Sequence, residues 1–409
     1  MNRTALVLLA AACLAVPLSG CTGPSAATAP DCWRTASANR LPAEAPPAQA
    51  TLVPDPTAAY QAMGFTGADP KGTVKAKWPD LHGEKVTILD HGAFSYAFGA
   101  AKTAFEALTN GTVEHVGAQD AGGLLERAIL EKDHPSADVY YGLDNVLVPR
   151  AIAAGVLAPY RPLLAPRIDP AQLFLDPAAP WLATPVDFGY IAVNADPRHA
   201  TPPATLGDLV TQAKSFVTED PRTSSPGLGF LVSTVATYGE ACYLGYWKDL
   251  LAAGALVTPD WTTAYATHFS GGYGQGTAGF LGDRSIVTSY TTSPAYELFY
   301  GANVTNANLL AAGATFHQVE TMALVKGAAH PAAAEAWIEF TLTDAFQALL
   351  APNLAVYPVV SSVEVASTYN GKDPEPGTFQ PAGFSAATLA AKAPEWVKAW
   401  TDVYEASKA

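Results

Sequence analysis

The sequence predicts an α/β protein of two lobes, with a hinge and an interlobe cleft. Three observations predict it. Strand-like apolar runs alternate with helix-spaced segments through the first part of the body. A long extended run at 184–194 leaves that region, and a second at 318–326 returns to it. Two hydroxyl-rich turns, Asp220-Pro-Arg-Thr-Ser-Ser-Pro-Gly-Leu-Gly-Phe230 and Ser289-Tyr-Thr-Thr-Ser-Pro294, stand where helices would begin. Strand and helix alternating at crossover spacing argue for a parallel sheet with helices on its faces. A chain that leaves a lobe and re-enters it makes a cleft, which suits a small molecule.

The elements follow in order. Lys85-Val-Thr-Ile-Leu-Asp90 is a buried-strand run, 97–108 has helical apolar spacing, and 112–116 is a second strand. Residues 122–130 form a helix with Leu124, Leu125, Ala128 and Ile129 on one side. A short strand at 137–141 and a helix at 145–154 come next. Tyr140 and Tyr141 are adjacent on that strand and face opposite ways, which predicts one in the core and one at the surface. In the second unit, a strand near Phe216-Val217 precedes a helix from Pro226, and 285–289 is a strand. Helices at 331–340 and 345–350 rejoin the first lobe. Ser225-Pro226 and Ser293-Pro294 each read as N-cap followed by N1. A helix start exposes free N–H groups and a positive dipole end, so these turns form a socket for a phosphate or carboxylate.

The N-terminus sets the compartment. Arg3, an apolar core at 5–16 and Leu18-Ser19-Gly20-Cys21 make a signal peptide too short to span a membrane stably. The Leu-Ser-Gly-Cys pattern resembles the bacterial lipobox, which implies cleavage after Gly20 and lipidation of Cys21. The expected organisation is a leader at 1–20, a lipidated Ala/Pro-rich tether at 21–80, one lobe from 81–186 plus 321–409, and the other from 187–320. Trp33 and Tyr60 mark places where the tether could dock. Of four cysteines, Cys13 leaves with the leader and Cys21 takes the lipid; Cys32 and Cys242 remain, their pairing open. Eight scattered histidines, with neither HExxH nor paired CxxC, argue against a metal site. A net charge of −14 argues against nucleic acid and anionic lipid, and draws cations.

Further stretches carry a resemblance: Ala137-Asp-Val with Gly142-Leu-Asp-Asn145, Pro185-Val-Asp-Phe-Gly-Tyr190, Trp261-Thr-Thr-Ala-Tyr265, Ser289 to Tyr296, and Tyr357-Pro358, together with the Asp220 turn. In the same order, across about residues 84–360, the body resembles the thiamine-binding proteins of bacterial ABC transporters, within the type II periplasmic binding-protein fold. The resemblance implies a lipid-anchored, extracytoplasmic, monomeric binding protein without cofactor. It would deliver thiamine or a thiamine phosphate to a membrane permease driven by an ATPase. It also implies that the phosphate or hydroxyethyl end sits near Thr223, Ser224 and Ser225, and that Trp261, Tyr290 and Tyr296 hold the rings, with Asp120 close by. Asp187 and Tyr190 are expected only to shape the hinge strand.

Two positions depart from the family pattern: His91 replaces a ligand-facing tyrosine, and Ala355 replaces a tryptophan. His91 beside a cationic ligand predicts binding that weakens between about pH 7.5 and 5.5 as the imidazole protonates. The Gly-rich segment 270–279 lacks the Lys-Ser/Thr of a P-loop and reads as a flexible loop that closes over the site. The other functions weighed are a diverged ligand (a small anion, a polyamine or ferric ion) and a thiaminase-like enzyme. The enzyme lacks its nucleophile, because Cys242 matches no cleft position.

Overall fold

The computed structural model describes residues 31–38, 78–118, 120–175, 181–302 and 305–409. The expected leader, the expected lipidation site Cys21, Tyr60 and most of the expected tether lie outside the described residues. In chain order the strands are β1 (Lys85–His91), β2 (Thr112–Ala118), β3 (Val139–Asp144), β4 (Thr184–Ala195), β5 (Phe216–Glu219), β6 (Leu256–Thr258), β7 (Ile286–Tyr290), β8 (Ala307–Asn308), β9 (Phe316–Leu324) and β10 (Tyr357–Pro358). The principal helices are α1 (Ser95–Thr109), α2 (Ala121–Leu130), α3 (Val148–Ala154), α4 (Ser225–Tyr238), α5 (Tyr243–Ala252), α6 (Ser293–Phe299), α7 (Pro331–Thr341) and α8 (Ala386–Ser407).

All strands join one sheet in the order β2-β1-β3-β9-β4-β7-β5-β6, with β8 and β10 also paired to β4. Its two ends are parallel, as expected: β1 with β2 and β3, and β5 with β6 and β7. Its centre is antiparallel, because β4 runs out of the first lobe and β9 runs back beside it. Every residue of β3 and of β4 is buried. Helices therefore cover both faces, which is why these runs lack polar alternation. Tyr140 and Tyr141 do face opposite ways, but both sides are core: Tyr140 packs with Leu124 and Tyr141 with Phe94. The expected surface tyrosine is absent for that reason.

The first lobe is built on Phe94, Phe105, Trp337 and Phe340. The second is centred on α4, which is apolar on all sides and almost wholly buried. The sequence assigned 321–409 as a block to the first lobe, and α8 corrects that. Trp400 meets Trp247 of α5 edge-on at 5.5 Å, and the Trp396 indole donates to Glu240 at 3.0 Å. The helix went unrecognised because Pro394 sits inside it and reads as a breaker.

The start of the described tether is docked. Cys32–Ala38 forms a 3₁₀ helix on α4 and α5. Cys32 and Cys242 form a disulfide, and Trp33 lies edge-on to Tyr238 and Tyr246 while donating to Asp249 at 3.0 Å.

Candidate functional site

A cleft of about 630 Å³ opens beside β9, which contributes Glu320. The first lobe contributes the end of β1 and the start of α2; the second contributes the segment after β6, the Gly-rich loop and α6. Its walls are aromatic (Tyr96, Trp261, Tyr265, Tyr273, Tyr290, Tyr296 and Tyr300), and its charged lining groups are Asp120, Asp260, Glu297, Glu320 and His91.

His91 ends β1. Its ring lies so close to Gly142 that any Cβ there would fall 2.0 Å from it, and Gly142 also has φ +100°. Glycine is thus required twice over. His91 Nε2 stands 3.1 Å from the Glu320 carboxylate, and Tyr141 presents its edge to the imidazole. Behind the pair, the Tyr141 hydroxyl donates to Asp187 at 2.5 Å, and His115 holds Asp90 at 2.9 Å. Burial pushes the His91 pKa down, but Glu320 above all, with Asp90 and Asp187, outweighs it and raises it to about 9. Burial, reinforced by Glu320, lifts Asp187 well above the usual carboxylate range. His91 is therefore an imidazolium throughout the neutral range, and the expected titration between pH 7.5 and 5.5 does not belong to it. Asp187 also does more than shape a strand, since its carboxyl completes this polar cluster.

Asp120 caps α2 by accepting from the Ala121 N–H at 2.8 Å, and burial raises its pKa to about 6. Trp261 stacks on Tyr265 (4.9 Å, 17°) and donates from its indole to Ser289 at 2.9 Å. Their i, i+4 spacing puts both rings on one face of a helical turn, here the π-helical segment Thr263–His268 and its approach. Tyr290 and Tyr296 also line the cleft. Glu297, whose carboxyl lies beside the Tyr265 hydroxyl, is raised by burial to about 7.

The structure thus brings His91, Asp120, Trp261, Tyr290 and Tyr296 around one cleft. It does not bring the other three predicted residues there as hydroxyl donors. Thr223 donates to the Pro259 carbonyl at 2.6 Å, and Ser225 to Asp144 at 2.5 Å. Ser224 is buried beside Asp120 without a well-aligned hydrogen bond. Both helix starts fall one residue before the expected position: Ser224 and Thr292 are the N-caps, and neither side chain makes the capping bond. The Thr292 hydroxyl donates instead to the Ala355 carbonyl, while the Ser224 hydroxyl has no such acceptor.

Sequence reading missed Glu297, Glu320, Tyr265 and Tyr273. Glu320 had a signal, as an acid inside an otherwise buried strand, and Glu297 follows a recognised tyrosine by one residue. The Gly-rich loop does close on the cleft through Gly272, Tyr273 and Gln275. Its first half is packed, since a Cβ on Gly274 would fall 1.6 Å from the Ala266 carbonyl oxygen, while residues 275–279 are exposed and Gly276 and Gly279 have nothing within 4 Å of a Cβ. Among the described residues, no group of three or more His, Cys, Asp or Glu is placed to hold a metal ion.

No family model matches the chain. It is 28% identical over 324 residues to the thiamine-binding periplasmic protein of Escherichia coli K12, an alignment spanning 77% of this chain and 92% of that one. It is 30% identical over 286 residues to the thiamine-binding periplasmic protein of Brucella abortus, covering 67% and 79%. Among solved structures, a periplasmic thiamin-binding protein superposes with a TM-score of 0.68 at 28% identity, over 80% of this chain and 98% of the other. A periplasmic binding protein from Actinobacillus pleuropneumoniae, at 17% identity and TM-score 0.66 over 79% and 99%, shares the fold.

Proposed function

The chain belongs to the family of thiamine-binding periplasmic proteins, and from that premise we propose that it binds thiamine or a thiamine phosphate in the interlobe cleft and hands it to a membrane permease driven by a cytoplasmic ATPase. It is a solute-binding protein rather than an enzyme. The observation that carries the ligand is the lining itself, aromatic walls above carboxylates. Thiamine is a flat aminopyrimidine joined to a cationic thiazolium. Aromatic faces attract such a cation by roughly 0.5–2 kcal/mol per good contact, and a carboxylate balances its charge or accepts from its amine.

His91, Asp120, Trp261, Tyr290 and Tyr296 are the proposed ligand-facing residues, with Ser224 behind Asp120. Closure would swing residues 187–320, carrying α8, against the rest of the chain about β4 and β9. We place the protein outside the cytoplasm as a monomer, held to the membrane by lipid on Cys21. Polyamines are a second reading, favoured by the same carboxylates and by Ala355 standing where the family has a stacking ring.

Calorimetric titration of the full protein at pH 7.5 tests the reading. Submicromolar thiamine binding supports it; binding of spermidine without thiamine would replace it. Mass spectrometry of membrane-extracted protein tests the anchor, with Cys21→Ala expected to release the protein from the membrane fraction.

A further inference from the structure

We propose that Tyr273, carried by the Gly-rich loop, is a ligand-contacting ring that pairs with Tyr96 of the first lobe to lock the cleft over its ligand. The inference rests on the thiamine reading and adds to it two residues that close the same site.

Trp261, Tyr265 and Tyr273 form one aromatic wall of the cleft. The Tyr273 ring lies 6.1 Å from that of Trp261 and 5.9 Å from that of Tyr265, tilted by 48° and 42°. Tyr265 is buried whereas Tyr273 is 40% exposed, so the third ring extends the wall outward to the mouth. Close backbone contact holds it there. A Cβ on Gly272 would fall 2.1 Å from the Tyr265 carbonyl oxygen, and Gly274 is set as tightly against Ala266. The Asn306 amide donates to the Gly271 carbonyl at 3.0 Å. Glycines on both sides of Tyr273 thus let the backbone come close while one large side chain reaches out.

Tyr96 comes from the other lobe, in the first turn of α1, and lines the same cleft. It is 60% exposed, so the first lobe does not need its ring as core. Its hydroxyl hydrogen-bonds that of Tyr273 across the mouth; burial first, then this bond, holds the Tyr273 phenol above its ordinary range. Around the same cleft, α6 grips the first lobe through backbone, with Tyr300 donating to the Pro352 carbonyl at 2.7 Å and Thr292 to that of Ala355. The tyrosine pair is instead a bond between two cleft-lining side chains. A bond between lobes is made only when they are together, so it favours the closed state and slows ligand release. Tyrosine suits both tasks, with a flat face for the ligand and a polar tip for the latch.

The test is thiamine association and dissociation by the full protein, followed by stopped-flow tryptophan fluorescence, with Kd from calorimetry. Tyr96→Phe and Tyr273→Phe should each speed dissociation about fivefold, one hydrogen bond's worth, with association changed less than about twofold. The double variant should release no faster than either single one, because both remove the same bond. Tyr273→Ala should lose a further fivefold or so in affinity, because the ring goes too. Ligand-free melting temperatures should stay at the parent value in the Phe variants. Release at the parent rate by the Phe variants, or two effects that multiply in the double variant, would overturn the latch. Tyr273→Ala binding as tightly as Tyr273→Phe would overturn the ring contact. Either result leaves thiamine binding standing, whereas a parent protein that binds no thiamine would overturn that reading and this inference together.

Discussion

His91 and Glu320 lie 3.1 Å apart at the floor of the cleft, joining the end of β1 to the central strand β9. The pair converts a residue that by its type suggests a neutral-pH switch into a fixed charge. Removing Glu320 should return the switch. In Glu320→Gln the His91 resonance, followed by NMR, should titrate nearer the ordinary ~6.5, instead of about 9. The variant should also lose roughly 3 kcal/mol of stability by denaturant titration, since a buried charge is left without its partner.

Stability itself should fall as pH rises from 6.5 to 9. His91 is raised above its unfolded value, so its contribution is fully present below about 6.5 and is lost as pH passes through about 9. Glu297, raised to about 7, acts in the same direction, because the folded state holds its proton longer than the unfolded chain. Below 6.5, His317 opposes the trend: burial holds it neutral down to about 4. Urea midpoints measured at pH 6.5, 8 and 9.5 should decline in that order.

Ligand affinity should run the other way. Protonating Glu297 near 7 and Asp120 near 6 removes negative charge from the cleft. Thiamine binding should therefore weaken by about tenfold between pH 7.5 and 5.5. His91→Tyr should keep that slope, whereas Glu297→Gln should flatten its upper half. Calorimetry across the pH range separates the two groups.

Trp261→Ala should reduce thiamine affinity by about tenfold or more, because it removes a stacking face worth about 1 kcal/mol beyond its area. Tyr265, its partner at 4.9 Å, would lose packing as well. Thiamine should quench the tryptophan fluorescence of the parent protein, and that quenching should largely disappear in this variant.

Gly274→Ala should disturb the loop over the cleft, since the added methyl would collide with the Ala266 backbone. Weaker ligand binding, with new protease cleavage within 270–282, is the expected result, read by limited proteolysis.

Reducing the Cys32–Cys242 bond, whose residues are 210 apart in sequence, should lower stability by about 3 kcal/mol or more. Thermal melts with and without reductant, compared with Cys32→Ser, would measure it.

Much was legible in the sequence. Local periodicity marked β1, α1, β2, α2 and β4 to within a few residues, because burial on one or both faces imposes a pattern on neighbouring positions. Of the aromatic lining, Trp261, Tyr290 and Tyr296 were expected from the family resemblance that their stretches carry, whereas Tyr96, Tyr265, Tyr273 and Tyr300 reach the cleft only through the fold. Tertiary structure alone decided the rest. Whether Ser225 faces a ligand or Asp144, whether His91 carries a fixed proton, and whether α8 belongs to one lobe or the other depend on groups tens to hundreds of residues away. Hydrogen-bond partners, desolvation and ion pairing are properties of the folded neighbourhood, and no spacing along the chain encodes them directly.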